Sequence, residues 1–154
     1  IDVTIGGEVW KRPDGSMPVV HSDGIALSTD GLWVYYQALT ATSLYRIQTY
    51  YLRDLTLSDA EVAEKVEFLA RTGPADGLAY DAEGNIYLSH IEDNAVRIFT
   101  PERRVKTLVS DDRLDWPDSF AIGPDGTVYV TTSQIHLGPN PPEPYKIFRL
   151  VERH

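Results

Sequence analysis

Three aspartates stand at equivalent places in the sequence, each at the start of a short apolar run. They are Asp23, Asp76 and Asp118. Carboxylate oxygens are the ligands that hard cations such as Ca²⁺ prefer, and they also attract the ammonium group of an amine. If the fold brings the three together, we expect a site for a divalent cation such as calcium, or for an amine. Because aspartate before glycine often bonds within its own turn, turn capping is the alternative for each residue taken singly.

Five further residues lie close to these runs and could extend the site. An aromatic ring such as Trp116 beside carboxylates suits an amine or catechol ligand, although core packing between sheets is its alternative role. Histidines titrate near neutral pH and could shuttle protons, whereas the alternative for His90 is a solvated loop position. The predicted ligand-binding set is His21, Asp23, Asp76, His90, Trp116, Asp118, Gln134 and His136, with no catalytic residue assigned.

Composition excludes several classes of function. The 154 residues carry a net charge of -9, which repels a phosphate backbone, so nucleic acid is not an expected partner. No apolar run reaches the roughly 18 residues of a membrane span, and no membrane partner is expected. The absence of cysteine rules out disulfides, a thiolate metal site and a thiol nucleophile. A small-molecule ligand is the expected partner, and the compartment is left open.

The elements that must position these residues are repeated three times. The repeats begin Asp23-Gly-Ile-Ala-Leu, Asp76-Gly-Leu-Ala-Tyr and Asp118-Ser-Phe-Ala-Ile. Each continues with an acidic-Gly pair, a hairpin signal, and then with two more runs rich in β-branched and aromatic residues. Four strands in about 40–50 residues are typical of a propeller blade. A β-sandwich with chance internal similarity is the alternative.

The sequence therefore predicts an all-β fold, a β-propeller of three four-stranded blades that form half of a six-bladed ring. A capping box, Ser58-Asp-Ala-Glu61, predicts one short helix inserted in the first blade. The predicted segments are an N-terminal strand segment at 1–20, blade one at 21–72, blade two at 73–115 and blade three at 116–154.

Several motifs resemble the C-terminal half of the yellow/major royal jelly protein family, most closely its bacterial members. They are Ser22-Asp-Gly-Ile-Ala, Leu57-Ser-Asp-Ala-Glu61, Asp76-Gly-Leu-Ala, Trp116-Pro-Asp-Ser119 and Gln134-Ile-His136. The resemblance implies a six-bladed propeller that binds amines or acts as a dopachrome tautomerase-like isomerase, in proteins that are often secreted or periplasmic. A more distant similarity to the gluconolactonase and regucalcin group implies a lactonase-like hydrolase with Asp76 as a divalent-metal ligand.

We expect the function to be ligand or metal binding at the channel mouth, with an isomerase or lactonase-like hydrolase acting on a small molecule as the alternative. The ligand is expected to be an amine, a catechol or a sugar lactone. A half ring leaves two apolar faces bare, so we expect a homodimer that completes the six-bladed ring. Residues 1–20 are expected to pair in trans with the last blade of the partner.

Overall fold

The computed structural model describes residues 1–151 of the chain. Almost all of its regular structure is antiparallel strands that pair with their neighbours in sequence. It starts with a two-stranded hairpin and continues with three larger sheets, which we call blades one to three.

The strands have the following bounds. The hairpin is formed by β1 (Thr4–Ile5) and β2 (Glu8–Val9). Blade one contains β3 (Ser22–Leu27), β4 (Trp33–Ala38), β5 (Ser43–Gln48) and β6 (Glu67–Arg71). Blade two contains β7 (Ala75–Tyr80), β8 (Ile86–His90), β9 (Ala95–Phe99) and β10 (Val105–Ser110). Blade three contains β11 (Pro117–Ile122), β12 (Val128–Thr132) and β13 (Ile147–Arg149).

The propeller-type fold predicted from the repeat is confirmed, with two differences in detail. Blade three has three strands within residues 1–151, not the predicted four. Two short helices, α1 (Thr49–Arg53) and α2 (Asp59–Ala63), replace the single predicted helix. The predicted capping box of Ser58 and Glu61 begins α2. No side chain caps α1, so the sequence carries no comparable signal for it. A 3₁₀ turn covers Ile135–Leu137.

The first strands of the three blades lie side by side, with β7 between β3 and β11. Two glycines permit this close approach. A β-carbon at Gly24 would lie 2.7 Å from the Asp76 carbonyl oxygen, and one at Gly77 would lie 2.1 Å from the Asp118 carbonyl oxygen. Only glycine fits at such separations, so the Asp-Gly pairs of the repeat set the spacing of the inner strands.

Apolar side chains fill the space between successive blades. Blades one and two enclose the largest cluster, which includes Leu44, Ile86 and Leu88. Blades two and three share a smaller cluster around Val96 and Val130. The N-terminal segment covers a third cluster formed by Val3, Leu39, Ile91 and Trp116. Within residues 1–151, no helix is long and apolar enough to cross a membrane.

Candidate functional site

Each of the three repeated aspartates lies at an irregularity of its inner strand. The pairing register shifts between Ser22 and Gly24, between Ala75 and Leu78, and between Pro117 and Phe120. A bulge bends a strand and re-aims the side chain at that point. We call the end of the inner strands that carries Asp23, Asp76 and Asp118 the mouth end.

Hydroxyl groups of the second strands hold two of these bulges. The Ser89 hydroxyl accepts a 2.7 Å hydrogen bond from the Gly77 amide and donates one to the Gly77 carbonyl. The Thr131 hydroxyl accepts a 3.1 Å hydrogen bond from the Ser119 amide. Sequence reasoning missed both residues, although the repeat contains a signal for them. They end the matched runs Ile86-Tyr-Leu-Ser89 and Val128-Tyr-Val-Thr131.

Asp76 is the distinctive carboxylate of the mouth end, because it is only 8% exposed. Burial raises its pKa to about 6, and the negative charges of Asp118 and Asp23 act in the same direction. A hydrogen bond of 2.6 Å from the Trp116 indole N–H to Oδ2 partly offsets these effects. The three predicted aspartates therefore lie close enough to interact electrostatically.

The other two aspartates are more open to solvent. Asp118 is half-buried and accepts a 2.7 Å hydrogen bond from the neighbouring Ser119 hydroxyl. Asp23 is exposed. None of the hydrogen bonds found for the mouth-end carboxylates in the described chain comes from the amides of their own turns. Turn capping, the alternative for these residues, is carried out instead by aspartates at the opposite end of the strands.

Trp116 holds Asp76 from a fully buried position. Its ring packs edge-to-face against Trp10, with centroids 4.8 Å apart, and stacks on His136 at 5.5 Å. The sequence suggests two roles for Trp116, core packing and a place in the ligand site. The ring packs in a core, and its N–H reaches the site by bonding to Asp76. A completely buried ring offers no face to a ligand, so we interpret its role as positioning.

The predicted histidines occupy three different environments. His21 is exposed. His90 is buried, and burial together with the Arg97 charge lowers its pKa to about 4. A β-carbon at Gly73 would lie 2.0 Å from His90 Nε2, so Gly73 allows the imidazole to pack tightly. His90 is therefore a neutral, packed side chain. The alternative of a solvated loop position does not hold.

His136 is the histidine that stacks on Trp116. Its Nε2 lies 3.5 Å from an Asp115 carboxylate oxygen, and its buried Nδ1 has no hydrogen-bond partner within residues 1–151. Gln134 is buried and donates to the carbonyl oxygens of Glu143 and Pro144, at 3.1 and 3.4 Å. Gln134 thus anchors the loop before β13, which contains the segment Gly138-Pro-Asn-Pro-Pro-Glu-Pro144.

The described chain does not contain a closed metal site. Within residues 1–151, no group of three or more histidine, aspartate or glutamate side chains is arranged to hold a metal ion. The donor type still fits a hard cation, because the residues are carboxylates and the Trp116 bond engages only one oxygen of Asp76. A cation bound here would need ligands, such as water or other oxygen donors, in addition to the carboxylates that the described chain brings together.

The fold agrees with the family that the sequence matches. The chain belongs to the SMP-30/gluconolactonase/LRE-like family, whose model matches residues 11–134. This is the group of the more distant predicted similarity, and the resemblance to the yellow/major royal jelly family stays a prediction. None of the curated proteins matches the sequence.

Solved structures support the same fold. A gluconolactonase from Xanthomonas campestris is 16% identical, with a TM-score of 0.62 over 86% of this chain and 44% of its own. Regucalcin from Agrobacterium tumefaciens, a calcium-binding protein, is 24% identical, with a TM-score of 0.56 over 75% of this chain and 39% of its own. A luciferin-regenerating enzyme is 17% identical, with a TM-score of 0.54 over 76% and 39%. The chain spans less than half the length of each, and these likenesses show the fold alone.

Proposed function

We propose that the mouth end binds a divalent cation of the calcium class, with Asp76 as the central ligand and Asp118 and Asp23 beside it. The observation that carries this proposal is the environment of the Asp76 carboxylate, which is buried and lies near two like charges. Such a carboxylate is destabilised in its ionised form. A cation would offset both the burial and the repulsion.

The hydrogen bond from Trp116 supports the proposal because it orients the carboxylate. It engages Oδ2, and we therefore assign Oδ1 to the cation. The calcium binding of the regucalcin relative lends further support. Three blades surround only part of a mouth, so we expect further blades to complete the ligand shell.

The small-molecule ligand that we favour is a sugar lactone, and lactonase-type hydrolysis is the second candidate function. Family membership and the likeness to a gluconolactonase favour it. A divalent cation, when bound, polarises a carbonyl oxygen and so assists attack by water. Amine or catechol binding, predicted from the carboxylates and Trp116, and dopachrome tautomerase-like isomerisation, implied by the resemblance, stay predictions. We do not favour them, because the buried Trp116 ring offers no stacking face.

Terbium luminescence tests the cation site directly, since Tb³⁺ replaces Ca²⁺ and is sensitised by a nearby tryptophan. Trp116 touches Asp76, so bound Tb³⁺ should emit on indole excitation, and Ca²⁺ should compete. Asp76→Asn should abolish the emission. The matched control is Asp125→Asn, which makes the same change at the opposite end of an inner strand. Equal emission from the wild type and Asp76→Asn would overturn the proposal.

Hydrolysis of glucono-1,5-lactone tests the second function in the same preparations. Activity that depends on Ca²⁺, is lost in Asp76→Asn and is retained in Asp125→Asn would support a lactonase. Cation binding without hydrolysis of this lactone would leave binding as the function and count against lactonase chemistry on this substrate.

A further inference from the structure

Blade one has a free face that is apolar across all four strands. Ile25, Tyr36, Tyr45 and Phe68 are cross-strand neighbours in the pairing register. Tyr36 stacks on Tyr45 at 5.8 Å, and Tyr45 packs edge-to-face on Phe68 at 5.9 Å. Ile25 is 65% exposed. A continuous apolar row of this kind marks an interaction surface.

The same positions are covered in blade two. Leu78 pairs with Leu88 as Ile25 pairs with Tyr36, and each pair follows the mouth-end aspartate of its blade. Leu78 is 9% exposed and belongs to the cluster that blades one and two share. The free row of blade one thus matches a row that, one blade later, is buried against the preceding blade.

Blade three has a free face of the complementary kind. Its Ala121, Tyr129 and Arg149 are paired across three strands. Blade one carries the same three residue types in the same register, as Ala26, Tyr35 and Arg46.

On blade one, the face that carries these three residues is covered by blade two of the same chain. Ala26 and Tyr35 pack in the shared cluster, and the Tyr35 ring stacks on Tyr80 at 5.3 Å. On blade three, Tyr129 is 39% exposed, and Ala121 is exposed. The free face of blade three therefore repeats a surface that elsewhere in this chain receives a following blade.

We propose that the partner of these faces is a second copy of this chain, with blade three of each copy packed on blade one of the other. A pair of unlike faces, used twice about a two-fold axis, closes a ring. One copy covers 44% of the length of the gluconolactonase, so two copies correspond to nearly all of it. Leu27 of blade one is equivalent to Tyr80 of blade two. The first pairs with Val34 and the second with Ile86, at the same place in the register. Tyr80 stacks on Tyr35, and Tyr129 is the equivalent of Tyr35 in blade three. Leu27 of one copy should therefore contact Tyr129 of the other.

The second copy would also complete the mouth end. It would add its own Asp23, Asp76 and Asp118, which supplies the carboxylates that one chain lacks for a cation site. This contribution to the site rests on the function proposed above, whereas the pairing of the faces does not.

The N-terminal segment is not needed for this association. Val3 and Trp10 pack within the same chain on the mouth-end cluster that contains Trp116, and the Thr4 amide donates to Glu92 of blade two at 2.9 Å. The trans pairing of residues 1–20 stays a separate prediction.

One residue distinguishes the proposed junction from the junctions inside the chain. Ser119 occupies the position of Gly24 and Gly77, which lie against the carbonyl oxygen of the following inner strand. The Ser119 β-carbon must keep the two copies slightly further apart. Ser119→Gly should therefore tighten the association several-fold.

Disulfide trapping tests the pairing, because the chain has no cysteine of its own. The variant with Leu27→Cys and Tyr129→Cys should give a covalent dimer under mild oxidation, since the two positions lie on opposite free faces of one chain. The control pairs Leu55→Cys with Tyr129→Cys. Leu55 is 95% exposed between the two short helices and should give no specific dimer.

Sedimentation equilibrium supplies the second measurement, on the unmodified chain. It should give about twice the 17.3 kDa chain mass at micromolar concentration. Ile25→Glu should weaken the dimer at least tenfold, and Leu55→Glu should leave it unchanged. A monomer that forms no trapped dimer would overturn the proposal and assign the faces to blades other than a second copy. Tb³⁺ binding by such a monomer would leave the proposed cation site intact, whereas a dimer without Tb³⁺ binding would overturn only that site.

Discussion

The inner strands carry aspartates at both ends, and folding shifts the pKa of Asp76 at the mouth end in the opposite direction from the pKa values of Asp30 and Asp125 at the turn end. At the turn end, Asp30 accepts hydrogen bonds from the Ser28 hydroxyl and the Leu32 amide, and these bonds lower its pKa. Asp125 likewise has a lowered pKa because it accepts from the Thr127 amide. At the mouth end, burial and neighbouring carboxylates raise the pKa of Asp76 to about 6.

The direction of the pKa shift distinguishes aspartates that stabilise the fold from one that destabilises it. A lowered carboxyl pKa means that folding favours the ionised form, and a raised one means that folding opposes it. Turn aspartates thus support the native state at neutral pH, whereas Asp76 destabilises it. A position that costs stability while its neighbours are well satisfied is typical of a functional site.

The largest effect should come from removing the side chain that holds Asp76. Trp116→Ala would empty a completely buried site between Trp10 and His136. A buried tryptophan truncated to alanine costs about 3–5 kcal/mol. Urea denaturation measures the loss, and Trp116→Phe, which keeps most of the packing, should lose less. A loss below about 1 kcal/mol for Trp116→Ala would show that this cluster does not support the mouth end.

Asp76→Asn should raise the free energy of unfolding in the presence of a chelator. The pKa of Asp76 rises from its usual 3.8 to about 6 on folding, and this rise corresponds to roughly 3 kcal/mol at pH 7. The gain should be present at pH 7 and disappear as the pH falls below about 4, because protonated Asp76 carries no penalty. Denaturation at several pH values with EDTA present measures it. Destabilisation at pH 7 would contradict the electrostatic account.

His90 should change the free energy of unfolding over the same pH range as Asp76, but in the opposite direction. Its pKa falls from 6.5 to about 4 on folding, so its contribution is complete above pH 6.5 and is lost as the pH falls towards 4. The loss amounts to roughly 3 kcal/mol. In the wild type this loss and the gain from Asp76 offset each other between pH 4 and 6.

Single variants should therefore separate the two contributions to the pH dependence. Asp76→Asn should make unfolding stability fall more steeply with acid, and His90→Gln should make it fall less steeply or rise. Parallel stability curves for the three proteins in this window would refute the prediction for both residues.

The smallest effect should come from the turn end. Asp125→Ala removes the acceptor of the Thr127 amide bond from an exposed turn. The melting temperature should fall slightly at pH 7, and the difference should vanish when the pH falls below the lowered pKa of Asp125. A shift of the melting temperature in the direction expected for Asp76→Asn would remove the distinction between the two ends.

The sequence could predict the strands and the mouth-end aspartates because both follow from local patterns. Alternating apolar runs and acidic-Gly turns decide where strands begin and end, and the repeat aligns Asp23, Asp76 and Asp118. Burial could not be predicted in the same way. Asp76 differs from Asp118 because the indole of Trp116, forty residues further on, bonds to its carboxylate and packs in a cluster with Val3 of the N-terminal segment.

The same limit explains the residues that changed role. His90 looks like a loop residue in the sequence, but tight packing beside Gly73 makes it a neutral core side chain. Gln134 anchors a loop through contacts with Glu143 and Pro144, and no spacing rule connects these positions. No side chain caps helix α1, so its sequence carries no signal from which the helix could be predicted.

The most direct test of the central claim is the order of stability of the wild type and Asp76→Asn with and without Ca²⁺. In EDTA at pH 7, Asp76→Asn should be the more stable protein, because the buried charge is gone. In saturating Ca²⁺ the wild type should gain stability by ligand linkage and the variant should not, so the difference should shrink or reverse. Asp125→Asn should respond to Ca²⁺ as the wild type does. An equal response of the wild type and Asp76→Asn to Ca²⁺ would contradict the account of the mouth end as a cation site built around Asp76.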